Sequence, residues 1–306
     1  MTVTVLGSIN MDLVTRVSRL PLPGETLIGQ SFSTIPGGKG ANQAVAVARL
    51  GVSTHLIGRV GDDTFGDTLR NSLAGYGVDT ANVFTHRGIS SGVAIISVDD
   101  KAENNIIAVP GANGLLNSED IARLEKVLPT TRVLMLQLEV PLEIVTSAMQ
   151  LARQAGVKVI LDPAPVRPLP PEIFSLVDII TPNENEAAAL IGFPIFSETD
   201  AERAAKMLLE RGVGCAIIKM GSRGVYWANP AGGQFVPAFK VNAIDTVAAG
   251  DAFNGGLAAA LAEGRSLAEG VRWGAATAAI SVTRQGAQPS MPSRAEVEQM
   301  LSKEKN

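Results

Sequence analysis

The stretch Val133-Leu-Met-Leu-Gln-Leu-Glu139 is an apolar run that ends on an acid. A helical pattern follows over 142–155, and a second apolar run, Val157-Lys-Val-Ile-Leu161, then ends immediately before Asp162. Two near-continuous apolar strands joined by a helix are typical of a parallel sheet that helices cover on both faces. This β-α-β unit therefore predicts the α/β fold class.

The alternation of strand and helix extends along the chain. Further strands are predicted at Val3–Ile9, His55–Val60, Asp178–Thr181 and Ala216–Met220, and further helices at Ala41–Leu50, Thr64–Tyr76, Glu184–Ile191, Asp200–Arg211 and Asp251–Ala262. We therefore expect residues 1–306 to form a single Rossmann-like domain around a mostly parallel central sheet. Ligands on such sheets bind beyond the carboxyl ends of the strands.

Two stretches interrupt this alternation. Residues 13–36 contain short β-like pieces with several prolines and glycines, and residues 92–109 have the pattern of a hairpin. A small sheet on its own is marginally stable in water. We therefore predict a β-lid, inserted in the main domain, that shields the site with one face and pairs with a partner subunit through the other. Ordinary surface hairpins are the alternative.

Composition excludes several classes of protein. The net charge is −4 and basic residues form no stripe, which argues against nucleic acid and anionic membranes as partners. No apolar run approaches the ~18 residues of a membrane span. The single cysteine, Cys215, lies in an apolar run, and His55 and His86 lie apart from other metal ligands. These features predict a buried thiol in a reduced, cytoplasmic protein, and they argue against zinc and Ser–His catalysis.

The segment Asp245-Thr-Val-Ala-Ala-Gly-Asp251 precedes a helical pattern. Small residues let the backbone N–H groups of Ala248, Ala249 and Gly250 converge on an anion, and the helix N-terminus reinforces the attraction. Asp251 would repel a phosphate there, unless it takes a proton from a hydroxyl while the amides hold the phosphoryl group. The alternative is an ordinary helix N-terminus with a stabilising acid.

A glycine-rich loop, Pro36-Gly-Gly-Lys-Gly40, precedes a helix that carries Asn42 and Gln43. It is not a P-loop, because Gly40 follows the lysine, and no Gly-x-Gly-x-x-Gly follows the first strand. The remaining interpretation is a tight turn with a cation beside it, suited to a polyhydroxyl or phosphate ligand. A simple turn is the alternative.

Polar residues follow several strands. Asn10 and Asp12 follow the first strand, and Glu139 ends a later one; such carboxylates accept hydrogen bonds from neighbouring sugar hydroxyls, although a cap or Asx-turn explains Asp12 alone. Asn183-Glu-Asn-Glu186 opens a helix, either as a cap or as a contact to phosphate and the water shell of Mg²⁺. Lys219-Met-Gly-Ser-Arg-Gly224 fits a turn under a nucleotide and, nearly as well, a hairpin turn.

Taken together, these pieces resemble the ribokinase/pfkB family of carbohydrate kinases. The most specific motifs are Gly37-Gly-Lys-Gly-Ala-Asn-Gln43 and Asp245–Asp251, and the resemblance extends from Gly7 to Ser290. It implies a parallel α/β domain whose β-lid pairs in a homodimer. It also implies transfer of the γ-phosphoryl group of ATP to the 5-hydroxyl of D-ribose, with Mg²⁺ and K⁺. A sibling kinase acting on deoxyribose, fructose or a nucleoside is the alternative, followed by a non-catalytic sugar-binding regulator.

The resemblance also implies roles for individual residues. Asp251 matches the general base, kept ionised by the helix terminus, and the backbone of Ala248, Ala249 and Gly250 matches the anion hole. The sugar contacts match Asn10, Asp12, Gly38, Lys39, Asn42 and Glu139. The nucleotide and Mg²⁺ contacts match Asn183, Glu186, Lys219, Gly221, Ser222, Gly224 and Gly250. The K⁺ loops match Asp245, Val247, Ser281, Arg284, Gly286 and Ser290.

The chain departs from the family pattern at four positions. Ala248 replaces the glycine that the broad family favours, Val247 replaces a hydroxyl residue or isoleucine, and Ala275 offers no side-chain hydrogen bond near the expected adenine. Asp162 stands where asparagine is frequent, and its effect has no explanation at the level of sequence.

Overall fold

The computed structural model describes residues 1–101 and 103–303. Its strands are β1 (Thr2–Leu6), β2 (Asn10–Arg16), β3 (Ser31–Gly37), β4 (Ser53–Gly61), β5 (Val83–His86), β6 (Gly92–Val98), β7 (Asn104–Val109), β8 (Thr131–Leu136), β9 (Lys158–Leu161), β10 (Ile179–Ile180), β11 (Cys215–Lys219), β12 (Gly224–Asn229) and β13 (Gly232–Pro237). Its helices are α1 (Lys39–Arg49), α2 (Thr64–Gly75), α3 (Ser118–Val127), α4 (Leu142–Gln154), α5 (Pro171–Phe174), α6 (Glu184–Ile191), α7 (Glu198–Glu210), α8 (Ala249–Ala262), α9 (Leu267–Ser281) and α10 (Arg294–Lys303).

A nine-stranded sheet forms the centre of the molecule, in the order β13-β12-β11-β10-β9-β8-β1-β4-β5. Within this sheet, the seven neighbouring strands β11, β10, β9, β8, β1, β4 and β5 are parallel. Strands β12 and β13 form an antiparallel edge. The chain runs from β1 to β4 on one side and later continues at β8 on the other. A crevice at such a switch point is where open α/β sheets bind their ligands.

Successive residues in the central strands point into two different cores. In β8, Val133 and Met135 belong to the core that includes α1, α8 and α9, whereas Leu134 and Leu136 belong to the core that includes α4 and α7. Both faces of the sheet are therefore covered by helices. The predicted α/β class with a mostly parallel, doubly covered sheet is confirmed.

A smaller four-stranded sheet has the order β3-β2-β6-β7 and confirms the second sheet of the predicted fold class. Asp12 pairs directly with Ala94, so these two side chains share one face. Ile95 pairs with Leu13 and with Ile107 on the opposite face. Ile95 and Ile107 are 43% and 63% exposed, so this second face presents apolar surface to solvent.

Several elements were not predicted, namely β5, the β12–β13 hairpin and helices α3, α5, α9 and α10. Helix α9 was not predicted because its small residues interrupt the apolar period of a helix. The same small residues let α9 pack closely against α8. A Cβ atom on Gly274 would lie 2.8 Å from the backbone oxygen of Phe253. Residues Gly221–Arg223 form a 3-10 turn between antiparallel β11 and β12, which confirms the hairpin interpretation of that stretch.

Cys215 is buried, as predicted, and burial raises the pKa of its thiol to about 12. Among the described helices, none is both long and apolar enough to cross a membrane.

Candidate active site

Asp251 lies in the first turn of α8, and its side chain is buried. The residue before the helix, Ala248, has φ 59° and ψ 15°, a left-handed conformation that no other non-glycine residue of the described ranges adopts. The first N–H groups of a helix have no partner within the helix, and here the N–H of Ala249 donates to the carbonyl of Thr246 over 3.2 Å. The N-terminus of α8 and the buried acid line the same cavity.

Two side chains of α1 hold the Asp251 carboxylate. Asn42 donates from Nδ2 to Oδ2 over 3.0 Å, and Gln43 donates from Nε2 to Oδ1 over 3.0 Å. Burial raises the pKa of Asp251 to about 6, Lys39 opposes this shift and Asp162 adds to it. The sequence predicts a carboxylate kept ionised by the helix terminus; burial instead raises the pKa, although the group is still mostly ionised at neutral pH.

Gln43 connects Asp251 to a second carboxylate. The same Nε2 donates to Asp162 Oδ2 over 3.0 Å, and Gln137 fixes the amide by donating to Gln43 Oε1 over 2.6 Å. The other oxygen of Asp162, Oδ1, lies 3.1 Å from Lys219 Nζ. Asp162, whose effect the sequence left unexplained, thus joins the Asp251 network to the hairpin turn after β11.

The residues expected to bind sugar meet at the carboxyl ends of β1 and β8. Glu139 Oε2 accepts from the backbone N–H of Lys39 over 3.1 Å and from the hydroxyl of Ser8. Asp12 lies nearby: burial, then the charges of Glu139 and Asp251, raises its pKa to about 7. Gly38 has φ 90°, and a Cβ atom there would lie 2.7 Å from the backbone nitrogen of Asn10, so only glycine fits this turn.

Asn113 is a positioning residue that the sequence did not reveal. Its Nδ2 donates to Asn10 Oδ1 over 2.7 Å, and its amide also bonds to the backbone N–H and carbonyl of Ile9. Asn113 therefore fixes the orientation of the Asn10 amide. No motif marks Asn113, because it lies in the short 3-10 helix Gly111–Leu115 just after β7.

A cavity of about 710 Å³ extends from Asp251 past the N-terminus of α8. Part of its wall is apolar and includes Phe253, Ala275, Ala278, Ala279 and Val282. The other part is polar and includes Lys39, Asp162, Asn183, Glu186, Lys219, Ser222 and the two glycines Gly221 and Gly224. This cavity can accept a molecule with one apolar end and one anionic end.

Lys39 is a half-buried cation that lies between the residues expected to bind sugar and the cavity. Burial lowers its pKa, but the charges of Asp251, Asp162, Glu139 and Glu186 outweigh this and hold the pKa above its usual range. Its ammonium group therefore stays charged at neutral pH.

Asn183 and Glu186 form a capping box at the start of α6. Asn183 Oδ1 accepts from the Glu186 N–H over 2.8 Å, and Glu186 Oε2 accepts from the Asn183 N–H over 2.7 Å. The capping alternative is thus correct for their hydrogen bonds, while both residues also line the cavity. No group of three or more acidic, histidine or cysteine side chains within 1–101 and 103–303 is arranged to hold a metal by itself.

The two loops expected to bind K⁺ are in contact. Asp245 Oδ1 accepts from the N–H of Val247 over 3.0 Å, and Oδ2 accepts from the N–H of Gly286 over 2.9 Å. The hydroxyls of Ser281 and Ser290 donate to backbone oxygens of their own segments. The guanidinium of Arg284 pairs with Glu296 of α10.

Comparisons with known proteins agree with this geometry. A ribokinase from Haemophilus influenzae is 44% identical over 300 residues that cover 98% of each chain, and a deoxyribokinase from Salmonella typhi is 38% identical over 303 residues that cover 99% of each. The structure of Arabidopsis thaliana ribokinase complexed with ribose and ATP matches with a TM-score of 0.91, at 32% identity, and covers 98% of each chain. The model of the pfkB family of carbohydrate kinases matches residues 2–294, and the chain belongs to this family.

Proposed function

We propose that this protein is an ATP-dependent ribose kinase that transfers the γ-phosphoryl group of ATP to the 5-hydroxyl of D-ribose. The observation that carries the proposal is the position of Asp251. Its carboxylate, held by Asn42 and Gln43, lies beside the N-terminus of α8, between the polar groups that follow β1 and the large cavity. The relatives of similar length named as ribokinases support the choice of sugar.

Asp251 acts as the general base. It accepts the proton of the attacking hydroxyl, while the backbone N–H groups of 248–251 hold the transferred phosphoryl group. The transition state of phosphoryl transfer is loose, so the proton moves late and correct positioning dominates the rate. The two amides that hold the Asp251 carboxylate therefore favour the reaction by positioning the base, and a strongly raised pKa is not required.

The sugar is bound by Asn10, Asp12, Gly38, Lys39, Asn42 and Glu139. Asp12 and Glu139 offer several acceptor oxygens to adjacent hydroxyls, and Asn10 offers a donor that Asn113 orients. A site built to pair a hydroxyl discriminates strongly against an analogue that lacks it, because a buried polar group is then left without a partner. Phosphorylation of deoxyribose is the second candidate, since deoxyribokinases are among the relatives at 38% identity.

The cavity receives ATP. Its apolar wall suits a purine, and Lys219, Gly221, Ser222, Gly224 and Gly250 surround the phosphates. Mg²⁺ keeps most of its water when it binds with nucleotides. Asn183 and Glu186 fit this mode, since they line the same cavity as Lys219 and Gly250 and, among the described residues, belong to no cluster that would strip the ion of its water. The ion would neutralise phosphate charge.

A monovalent cation binds near the site. K⁺ is held through oxygen atoms by two paired loops and fixes the 245–248 turn; the loops contain Asp245, Val247, Ser281, Arg284, Gly286 and Ser290.

The small sheet acts as a β-lid, formed by about 13–36 and 92–109, and its exposed apolar face pairs in a homodimer. The protein works in the cytoplasm.

The decisive experiment is an ADP-release assay over a panel of pentoses, hexoses and nucleosides. D-ribose should give the highest kcat/KM, and 2-deoxyribose should be weaker. If 2-deoxyribose or fructose gives a higher kcat/KM than ribose, the protein is a sibling kinase of the same family. If no sugar stimulates ADP release, the catalytic proposal itself is wrong.

A further inference from the structure

Lys219 ends β11, and its ammonium group reaches the N-terminus of α8. Its Nζ lies 3.2 Å from the position that a Cβ atom would take on Gly250. The side chain is only 12% exposed, so the ammonium is held within the cavity. A cation therefore stands against the first turn of α8, where the proposed function places the phosphoryl group in transit.

Asp162 fixes this cation. The Asp162 side chain is 3% exposed, and its Oδ1 lies 3.1 Å from Lys219 Nζ. Its Oδ2 accepts from Gln43, whose same nitrogen donates to the base Asp251. The ammonium and the base are thus held by one hydrogen-bonded network, and neither can move without disturbing the other's support.

We propose that Lys219 is a catalytic residue that contacts the transferred phosphoryl group, and that Asp162 is the positioning residue that keeps it beside Gly250. The proposal rests on the proposed function, and it deepens the role of Lys219 from nucleotide binding to stabilisation of the transition state. In a loose transition state, charge spreads over the equatorial oxygens of the phosphoryl group. A preorganised cation stabilises that charge without reorganisation during the reaction.

The proposal also gives Asp162 a purpose. An asparagine at 162 could still accept from Gln43, but it would carry no charge to hold an ammonium group. The aspartate at 162 and the lysine at 219 therefore act together, and the function of each depends on the other. Removing the lysine alone leaves a buried carboxylate without its partner, which perturbs the site for a reason unrelated to catalysis.

The test compares Lys219→Gln, Asp162→Asn and the double variant, with Lys158→Gln as a control that removes a lysine charge at the opposite end of the sheet. Steady-state kinetics give kcat and the KM for ATP separately, and thermal unfolding confirms that each variant is folded. The double variant carries no unpaired charge. We expect its kcat to fall by ~10²–10³, as on loss of one oxyanion donor, with a small change in the KM for ATP. Lys219→Arg should retain part of the rate.

Two kinetic outcomes overturn the proposal. Recovery of kcat in the double variant to within a few-fold of wild type would mean that Lys219 only neutralises Asp162. A raised KM for ATP with unchanged kcat would mean that Lys219 binds the nucleotide ground state.

A second measurement does not depend on the identity of the sugar. Aluminium fluoride, which mimics a phosphoryl group in transit, should tighten ADP–Mg²⁺ binding more in the wild-type protein than in the double variant. An equal response in the two proteins overturns the role of Lys219, whereas failure of wild type to phosphorylate ribose in the sugar panel would overturn only the proposed function.

Discussion

Asp162 and Asp251 share one amide donor: Gln43 Nε2 lies 3.0 Å from an oxygen of each. The orientation of this amide is not free, because Gln137 donates to its oxygen. The charge of Asp162 adds to the raised pKa of Asp251, and Lys39 opposes it. On the other side of the pair, Lys219 forms an ion pair with Asp162.

The first prediction concerns pH. Because the pKa of Asp251 is raised to about 6, protonation of the base should reduce kcat/KM for the sugar as the pH falls through that value. Rates should level off above it. The facing groups are Lys39, Asp162 and, toward the sugar, Asp12.

Asp12→Asn provides the control, because it removes the group whose pKa is raised to about 7 and leaves the base in place. The acid limb should persist near the same pH in this variant, because Asp12 is already mostly uncharged at the pH where Asp251 takes up its proton. A pH–rate profile that is flat down to about pH 5 would contradict the assignment of Asp251 as an essential base.

The second prediction concerns Asn113. Asn113→Ala should raise the KM for the sugar by up to ~10-fold, which corresponds to one net hydrogen bond, because Asn10 loses the partner that fixes its amide. The KM for ATP should change little. Asn113→Asp still accepts from the N–H of Ile9, but it can donate neither to Asn10 nor to the carbonyl of Ile9. Equal changes in both KM values would instead indicate general damage to the fold.

The third prediction concerns monovalent cations. Activity should rise with K⁺ and less with Na⁺, because a bound cation would stiffen the turn that leads into Ala248. Asp245→Ala, which removes the acceptor for the N–H groups of Val247 and Gly286, should lower kcat and abolish the response. Equal rates in carefully K⁺-free and K⁺-replete buffers would count against this site.

The fourth prediction concerns the β-lid. Ile107→Glu introduces charge on the face opposite Asp12, so it should give monomers with a raised KM for sugar and a smaller change for ATP. Ile107→Leu keeps the position apolar and should remain dimeric. A wild-type monomer in sedimentation at micromolar concentration, or a monomeric variant that binds ribose as tightly as wild type, would refute the idea.

The central sheet was predictable because its strands are buried on both faces and therefore are continuously apolar. The small sheet was predictable as a break in that pattern, although β2 begins at Asn10 rather than at residue 13. Helix α9 was not predictable, since the small residues that let it approach α8 erase the usual helical period.

The position of Asp251 beside a helix terminus could be read from its sequence neighbours. Its partners could be named only in part, because the amide of Gln43 lies 208 residues away from Asp251 in the chain. Asn113 was missed for the same reason: it acts on Asn10 from 103 residues away. Contacts of this range depend on strand order, which no local pattern specifies.

The most direct test of the account is the product formed from D-ribose and ATP by the wild-type protein and by Asp251→Asn, followed by ³¹P NMR. The account predicts ribose 5-phosphate with wild type. It predicts turnover lower by ~10²–10⁴ with Asp251→Asn, the usual value of a general base, while ATP binding and thermal stability stay close to wild type. Turnover of the variant within a few-fold of wild type, or phosphate attached at another hydroxyl, would contradict it.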